Sequence, residues 1–545
     1  MNRKNLLLFG LVGFIAFLSG GWLLQRGGQH AGDVYQKARL FENVVAYVSE
    51  YYVDSLDAGR LYDLAIDGML KELQDPYSTF LRPSDLEDLR VSTTGNYGGL
   101  GIRIEPSDGW IQIVAPLPDT PADRAGVQAG DRIIAVDGES THEWSADKAV
   151  GRLRGPPGAP TTITVSRPGV PEPIEFRIVR EQIHVRSVEG GTVLPGGVGF
   201  LRLTQVSEES AQELGEEITR LRAAGARGLI LDMRNNPGGL LNEGVAVADL
   251  FLDRGQIVVE TRGRAPGASG VFRASHAQSW ADMPVIVLVN GNSASAAEII
   301  AGALQDHDRA LIVGTQTFGK GLVQSVFELG PGPQALKLTT GRWHTPSGRQ
   351  LERTTRRPAT IAVAPDDADE TADAAAADSV HGDSLKPAFR TDAGRVVYGG
   401  GGIVPDRVIR SDTLTSGEQA FARALGARVP DYRSALTTFA LDLKGRNAVA
   451  DPGFRVTTAM RGELIRRLRD RGVTLPDSIF AGAGTLLDEQ LGDEVARYVF
   501  GRPAEIQRQL RRDAQVREAM GLLARAKSPS ELFTLAVEPE ARPGR

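Results

Sequence analysis

Residues 284–324 constrain the fold more than any other part of the chain: PVIVLVNGNSASAAEIIAGALQDHDRALIVGTQTFGKGLVQ. Val285 to Val289 is an uninterrupted apolar run, short and mostly β-branched, the pattern of a strand buried on both faces. Asn290-Gly291-Asn292 supplies a turn, and Ile299, Ile300, Ala303 and Leu304 then recur at helical spacing. Strand, tight turn and helix N-terminus in that order set Ser295 where unpaired backbone N–H groups point outward. A second strand, Ala310–Val313, leads to Lys320. Its neighbours Gly319 and Gly321 let other groups approach the backbone closely.

The residue types suit covalent catalysis. A serine hydroxyl is a poor nucleophile until a nearby base removes its proton. Lysine is such a base only when neutral, which requires burial or a cationic neighbour. Taken singly, Ser295 reads as a helix N-cap and Lys320 as a solvated loop residue. Taken together, SASAAEI and QDHDRALIVGTQTFGKGLVQ resemble the active-site region of the carboxy-terminal processing peptidases, or tail-specific proteases, which use a serine–lysine dyad. The resemblance implies Ser295 as nucleophile, Lys320 as general base and Gln324 as the amide that orients the lysine. The Ser-to-Lys spacing of 25 residues and the Lys-to-Gln spacing of four fit the family pattern.

With 545 residues the chain has room for several domains. A net charge of −6, spread along the sequence, argues against nucleic acid as partner. There is no cysteine, hence no disulfide or thiolate site, and the seven histidines form no HExxH-like cluster. No metal or other cofactor is expected. Residues 1–32 read as a membrane segment and linker: Leu6–Leu24 is uncharged behind Arg3 and Lys4, long enough to span a bilayer. The expectation is a membrane-anchored chain whose bulk is extracytoplasmic (periplasmic if bacterial), with a cleaved signal peptide as the alternative.

Residues 33–97 have helical periodicity, stopped at Asp75-Pro76; LQDPYSTFL resembles the end of the family's N-terminal helical domain. Residues 98–180 resemble a PDZ domain. Gly99-Leu100-Gly101-Ile102 matches its carboxylate-binding loop and AGVQAGDRIIAVDGES the helix and hairpin that follow. Such a domain takes a peptide C-terminus as an added strand, so the expected partners are proteins or peptides with free apolar C-termini. Residues 181–410 alternate strand and helix: Val198–Leu203, Glu208–Ala223, Gly228–Met233, the loop Arg234–Gly239, then the helix Leu240–Leu252. That order predicts a layered α/β core with a largely parallel sheet, crotonase-like by the resemblance. The family's loop is commonly Arg-Gly-Asn-Pro-Gly-Gly, whereas Asn235 stands here at the second position. The resemblance places the two oxyanion-hole N–H groups on Gly238 and Ala296.

An acidic, Ala-rich insertion near 354–396, with Asp366–Asp383 at its heart, reads as disordered. Residues 411–545 are a helical extension beyond the family core, expected to serve packing or oligomerisation. The functional expectation is a serine endopeptidase that recognises C-terminal tails. A PDZ-type scaffold with an inactive core is the alternative. Catalysis through His307, twelve residues past Ser295, is a further option, although QDHDRA reads as a helix-end turn.

Overall fold

The computed structural model describes residues 35–330, 332–353, 386–410 and 413–537. They divide into two compact units, one holding the residues up to Arg82 with Gln324–Thr339, the other Pro83–Val323 with the residues from Thr340 on.

The first unit is built on helices at 35–51 and Ala58–Glu72. Asp57 starts the second by accepting from the Arg60 N–H at 3.2 Å. That helix ends at Glu72, and no helix resumes before Pro83. Asp75 accepts from the Tyr77 N–H (3.1 Å) and the Ser78 hydroxyl (2.6 Å), an Asx turn that reverses the backbone into the short strand Thr79–Leu81. That strand pairs antiparallel with residues 335–337. Helical periodicity could not reveal it, because its partner lies far along the chain.

In the second unit the PDZ domain is an insertion. The chain enters along Asn96–Gly99 and leaves along Glu181–His184, and these two strands pair antiparallel as a stem. Between them a six-stranded antiparallel sheet buries Ile111, Ile113, Ile133, Ile163 and Val165 completely. Ile102–Ser107 is its edge strand, hydrogen-bonded on one side only, to Trp110–Pro116.

The core sheet runs Val188–Leu194, Val198–Leu203, Gly228–Asp232, Val285–Val289, Leu311–Gly314 and Arg407–Val408 in spatial order. The first pair is antiparallel and the remainder parallel. Alternate residues face opposite layers. Leu229, Leu231, Val285, Val287 and Val289 pack under Ser210–Ala223, Leu241–Asp249 and Ala296–Asp306. Ile230, Ile286, Leu288, Leu311 and Val313 face Ile506, Leu510, Val516, Leu522 and Leu523 of the C-terminal helices. The extension is therefore the second covering layer of the sheet, and the chain is a layered α/β core with an inserted PDZ domain, N-terminal helices and a helical C-terminal region. A further group of its helices (Ser416–Leu425, Val429–Gly445, Thr458–Asp470, Gly484–Phe500) forms a separate apolar cluster around Phe421, Phe439, Leu464 and Leu487.

Among the described residues no helix is long and apolar enough to cross a membrane. This corrects the expectation of a membrane-anchored, extracytoplasmic chain. The segment it rested on, Leu6–Leu24, lies outside the described residues, as does Asp366–Asp383.

Candidate active site

The buried strand Val285–Val289 ends in a turn pinned from below. The Ser293 hydroxyl donates to the Met233 carbonyl (2.8 Å) and accepts from the Asn290 N–H (3.0 Å). Ser295 follows with φ +55° and ψ −117°, a conformation that costs a non-glycine residue of order 1–3 kcal/mol and persists only when its surroundings enforce it. It occupies the N-cap position of Ala296–Asp306, where the Glu298 N–H goes to the Ser295 carbonyl at 2.9 Å.

Glu298 supplies the enforcement. Fully buried, its carboxylate accepts from Ser295 N (2.9 Å), Lys320 N (2.8 Å), Gly319 N (2.7 Å) and the Thr317 hydroxyl (2.5 Å). The first two donate to the same oxygen, Oε2, so the backbones of Ser295 and Lys320 meet on one atom. The Phe318 N–H adds a bond to the Ser293 carbonyl at 3.0 Å. Burial pushes the Glu298 carboxyl above its ordinary range, against these four donors. Sequence reasoning passed over Glu298. The signal was present, for Ser295-x-x-Glu298 has the spacing of a capping box.

Gln324 lies on the strand Leu322–Glu328, and its buried Nε2 has no hydrogen-bond partner among the described residues. His307 ends the helix Ala296–Asp306, with Nδ1 on Asp392 Oδ2 (2.7 Å) and Nε2 on the Ile257 carbonyl (2.7 Å). Both ring nitrogens serve the fold.

The loop after Gly228–Asp232 is fixed residue by residue. Asp232 is fully buried; burial alone would raise its carboxyl, but Arg234, bound at 2.9 and 2.8 Å, brings it below the usual range. Asn235 has φ +59°, which explains why asparagine can replace the family's glycine. Its Oδ1 accepts from the side-chain amides of Asn290 and Asn292, and its backbone N–H donates to Asn290 Oδ1. Asn236, also buried, donates to the Leu203 carbonyl (2.8 Å), and its own carbonyl accepts from Ala294 N (2.9 Å). Gly238 then comes so close to Ser295 that an added Cβ would lie 2.8 Å from the Ser295 Cβ and 2.7 Å from the Ala296 nitrogen. Only glycine fits there. Its N–H is engaged, however, by Asn236 Oδ1 at 2.8 Å. Ala296, first in its helix, has an N–H that no described group accepts.

In the PDZ domain, the Leu100 and Gly101 N–H groups likewise meet no described acceptor. Gly101 holds φ +75°, with its carbonyl taken by Leu117 N (2.8 Å) and the Thr120 hydroxyl (3.1 Å). The Leu100 side chain packs into the domain core at 2% exposure, and Ile102 begins the edge strand beside it. Among the described residues one trio, His184, Glu209 and Glu213, lies close enough to share a cation. In this structure Glu213 is already satisfied by His184 Nε2 (2.6 Å), Ser187 and Val188, and braces the PDZ stem against the core.

Residues 197–366 match the model described as Peptidase family S41, residues 112–167 that of the PDZ domain, and residues 24–84 that of the activating protease CtpB N-terminal domain. The carboxy-terminal-processing protease of Bartonella bacilliformis is 42% identical over 324 residues, covering 59% of this chain and 74% of its own. The carboxyl-terminal-processing protease of Synechocystis is 40% identical over 294 residues, covering 53% of this chain and 68% of its own. Among solved structures, the photosystem II D1 C-terminal processing protease is 30% identical, with a TM-score of 0.33, covering 57% of this chain and 89% of its own.

Proposed function

We propose, for a chain that belongs to peptidase family S41 and carries a PDZ domain, that it is a serine endopeptidase of the carboxy-terminal processing type working through a Ser295–Lys320 dyad. The observation that carries this reading is the shared oxygen of Glu298, which binds the backbone N–H of both residues. Lys320, neutral at working pH, takes the Ser295 proton as Oγ attacks the scissile carbonyl. The lysine then protonates the departing amine, and water completes hydrolysis of the ester. The Ala296 N–H supports the developing oxyanion. Gly238 supplies the second donor once its N–H leaves Asn236 Oδ1. Gln324 orients the lysine without adding a negative charge. Substrates are proteins or peptides with a free apolar C-terminus, held by the Leu100 and Gly101 N–H groups along the open edge of Ile102–Ser107.

The test is hydrolysis of a peptide ending in a free apolar residue by wild type, Ser295→Ala, Lys320→Ala and Gln324→Ala. The first two variants lose nearly all turnover while still binding the tail, and the third loses less. Lys320→Ala with wild-type turnover rejects the dyad. Tail binding without hydrolysis by the wild-type chain favours the scaffold reading instead.

A further inference from the structure

The C-terminal extension does more than cover the sheet: it grips both the PDZ domain and the loop beside Ser295. On the PDZ side, Arg471 donates to both oxygens of Asp108 (2.7 and 3.0 Å), at the tip of the hairpin that begins with the edge strand. The Ser434 hydroxyl adds a bond to the same carboxylate at 2.6 Å. Arg471 holds that carboxyl below its ordinary range. Lys444 Nζ reaches the Ala129 carbonyl (2.9 Å), Leu441 fills the space where a side chain at Gly130 would go, and the Tyr498 hydroxyl donates to Glu105 (3.3 Å).

On the active-site side, Arg234 Nη1 lies 2.7 Å from Asp513 Oδ2 and 3.0 Å from Gln515 Oε1. Gln515 is fully buried and its amide is fixed by donating to the Ile409 carbonyl at 2.8 Å. Asp513 also caps the helix Ala514–Arg525. The two ends of the extension are joined, since Arg512, next to Asp513, pairs with Asp493 on the helix that carries Tyr498.

Arg234 opens the loop that ends at Gly238. Asp232 is shared with Arg202 at 3.4 Å, so Asp513 completes the charge balance, and Asp513 and the buried Gln515 amide give two acceptors to the same Arg234 Nη1. They fix the direction of the guanidinium, and with it the start of the loop. We propose that Asp513 and Gln515 are positioning residues for hydrolysis, acting through Arg234 on the Gly238 loop, and that the extension carrying them couples this loop to the seat of the PDZ domain. The inference rests on the reading of Ser295 and Gly238 given above. With the guanidinium fixed the loop shifts as one piece, and the Gly238 N–H, now on Asn236, is released in a defined direction when the register changes. A movement of the PDZ seat transmitted through Asp493–Arg512–Asp513 would change that register.

The test uses the full chain with Asp513→Asn, Asp513→Glu and Arg471→Ala, measuring kcat, KM and melting temperature on a free-acid tail peptide. Asparagine caps a helix as well as aspartate, so Asp513→Asn removes the charge facing Arg234 and spares the fold. The expected result is a tenfold or larger fall in kcat for Asp513→Asn, with KM within a factor of two and melting within a few degrees. Asp513→Glu recovers most of the loss. In a double-mutant cycle the effect of Arg471→Ala on kcat shrinks in the Asp513→Asn background. Unchanged kcat in Asp513→Asn, a change that merely follows melting, or additive effects in the cycle would overturn the proposal. Ser295→Ala serves as the separate control: full activity there defeats the dyad, whereas an inactive Ser295→Ala beside a wild-type Asp513→Asn defeats only the positioning role.

Discussion

In the proposed mechanism two loops of this chain offer backbone N–H groups to an anion, and they stand in opposite conditions. In the PDZ loop, Leu100 and Gly101 keep their N–H groups clear of every described acceptor. In the loop beside Ser295, the Gly238 N–H is already bonded to Asn236, and Asn235, Asn236 and Arg234 are each tied to other elements. The charges they meet differ in lifetime. A tail carboxylate is a stable anion, so its cradle gains by being open before binding. An oxyanion exists only briefly, and in the proposed mechanism its second donor is withheld until the Gly238 N–H leaves Asn236. On that reading the first loop stands ready for capture and the second must first be aligned.

Substitution at the nucleophile separates the two most sharply. Ser295→Ala should lower turnover on the order of 10⁴-fold or more and leave tail affinity unchanged, as measured by titrating a labelled peptide; weakened tail binding would mean that the loops are not independent. Glu298→Gln comes next. One oxygen that now accepts N–H groups becomes an NH₂, the backbones of Ser295 and Lys320 lose their common anchor, and turnover should fall about 10²-fold, the usual effect of small misplacement at a reacting centre. A variant at wild-type kcat would show that the shared carboxylate is dispensable for alignment. At the PDZ loop the effect should be smaller. Amidating the substrate tail removes a charge-assisted hydrogen-bond acceptor, and kcat/KM should drop about ten- to a hundredfold. Equal cleavage of acid and amide would remove the capture role.

The least effect is expected where the PDZ domain meets the extension. Burial, and after it the neighbouring Glu105 and Glu505, lifts the Glu494 carboxyl to about 7, against Arg497 and the Thr437 hydroxyl; Tyr498 and Tyr432 pack beside it. A raised folded-state value means that the packed arrangement favours the proton. Its stabilising contribution is complete below about 4.5, declines as pH rises to about 7 and is flat above. Melting should therefore fall by a few degrees between pH 5 and pH 8, and Glu494→Gln should flatten that slope. A slope unaltered in the variant would assign it to other groups.

The strand Val285–Val289, the turn after it and the helix Ala296–Asp306 were legible because their signals are local: an apolar run, a turn and a helical repeat. Double-sided burial was legible too. What lies on the second face was not, since the covering helices come after Val289 by most of the remaining chain and resemble nothing in the family core. The strand Thr79–Leu81 was missed for the same reason. Glu298 showed its capping-box spacing but not its bonds to Thr317, Gly319 and Lys320, and Arg234 showed none of its own: a buried charge declares itself fully only through its partners, and these come from four separate segments. The engaged N–H of Gly238 is a matter of one side-chain rotamer, beneath the resolution of any sequence pattern.

The two-sided cover of the central sheet also sets when this peptidase can come into being. Ile230, Ile286 and Leu288 leave the ribosome long before Ile506, Val516 and Leu523, which must lie over them. At ordinary synthesis rates the interval is on the order of ten seconds or more. During it one apolar face of the strands beneath Ser295 has no lid, and the loop at Arg234 lacks Asp513. A nascent chain thus carries its serine and lysine without a finished scaffold to aim them. Cleavage would begin only after translation has reached the last helices, which spares neighbouring polypeptides, and the growing chain itself, from a premature protease.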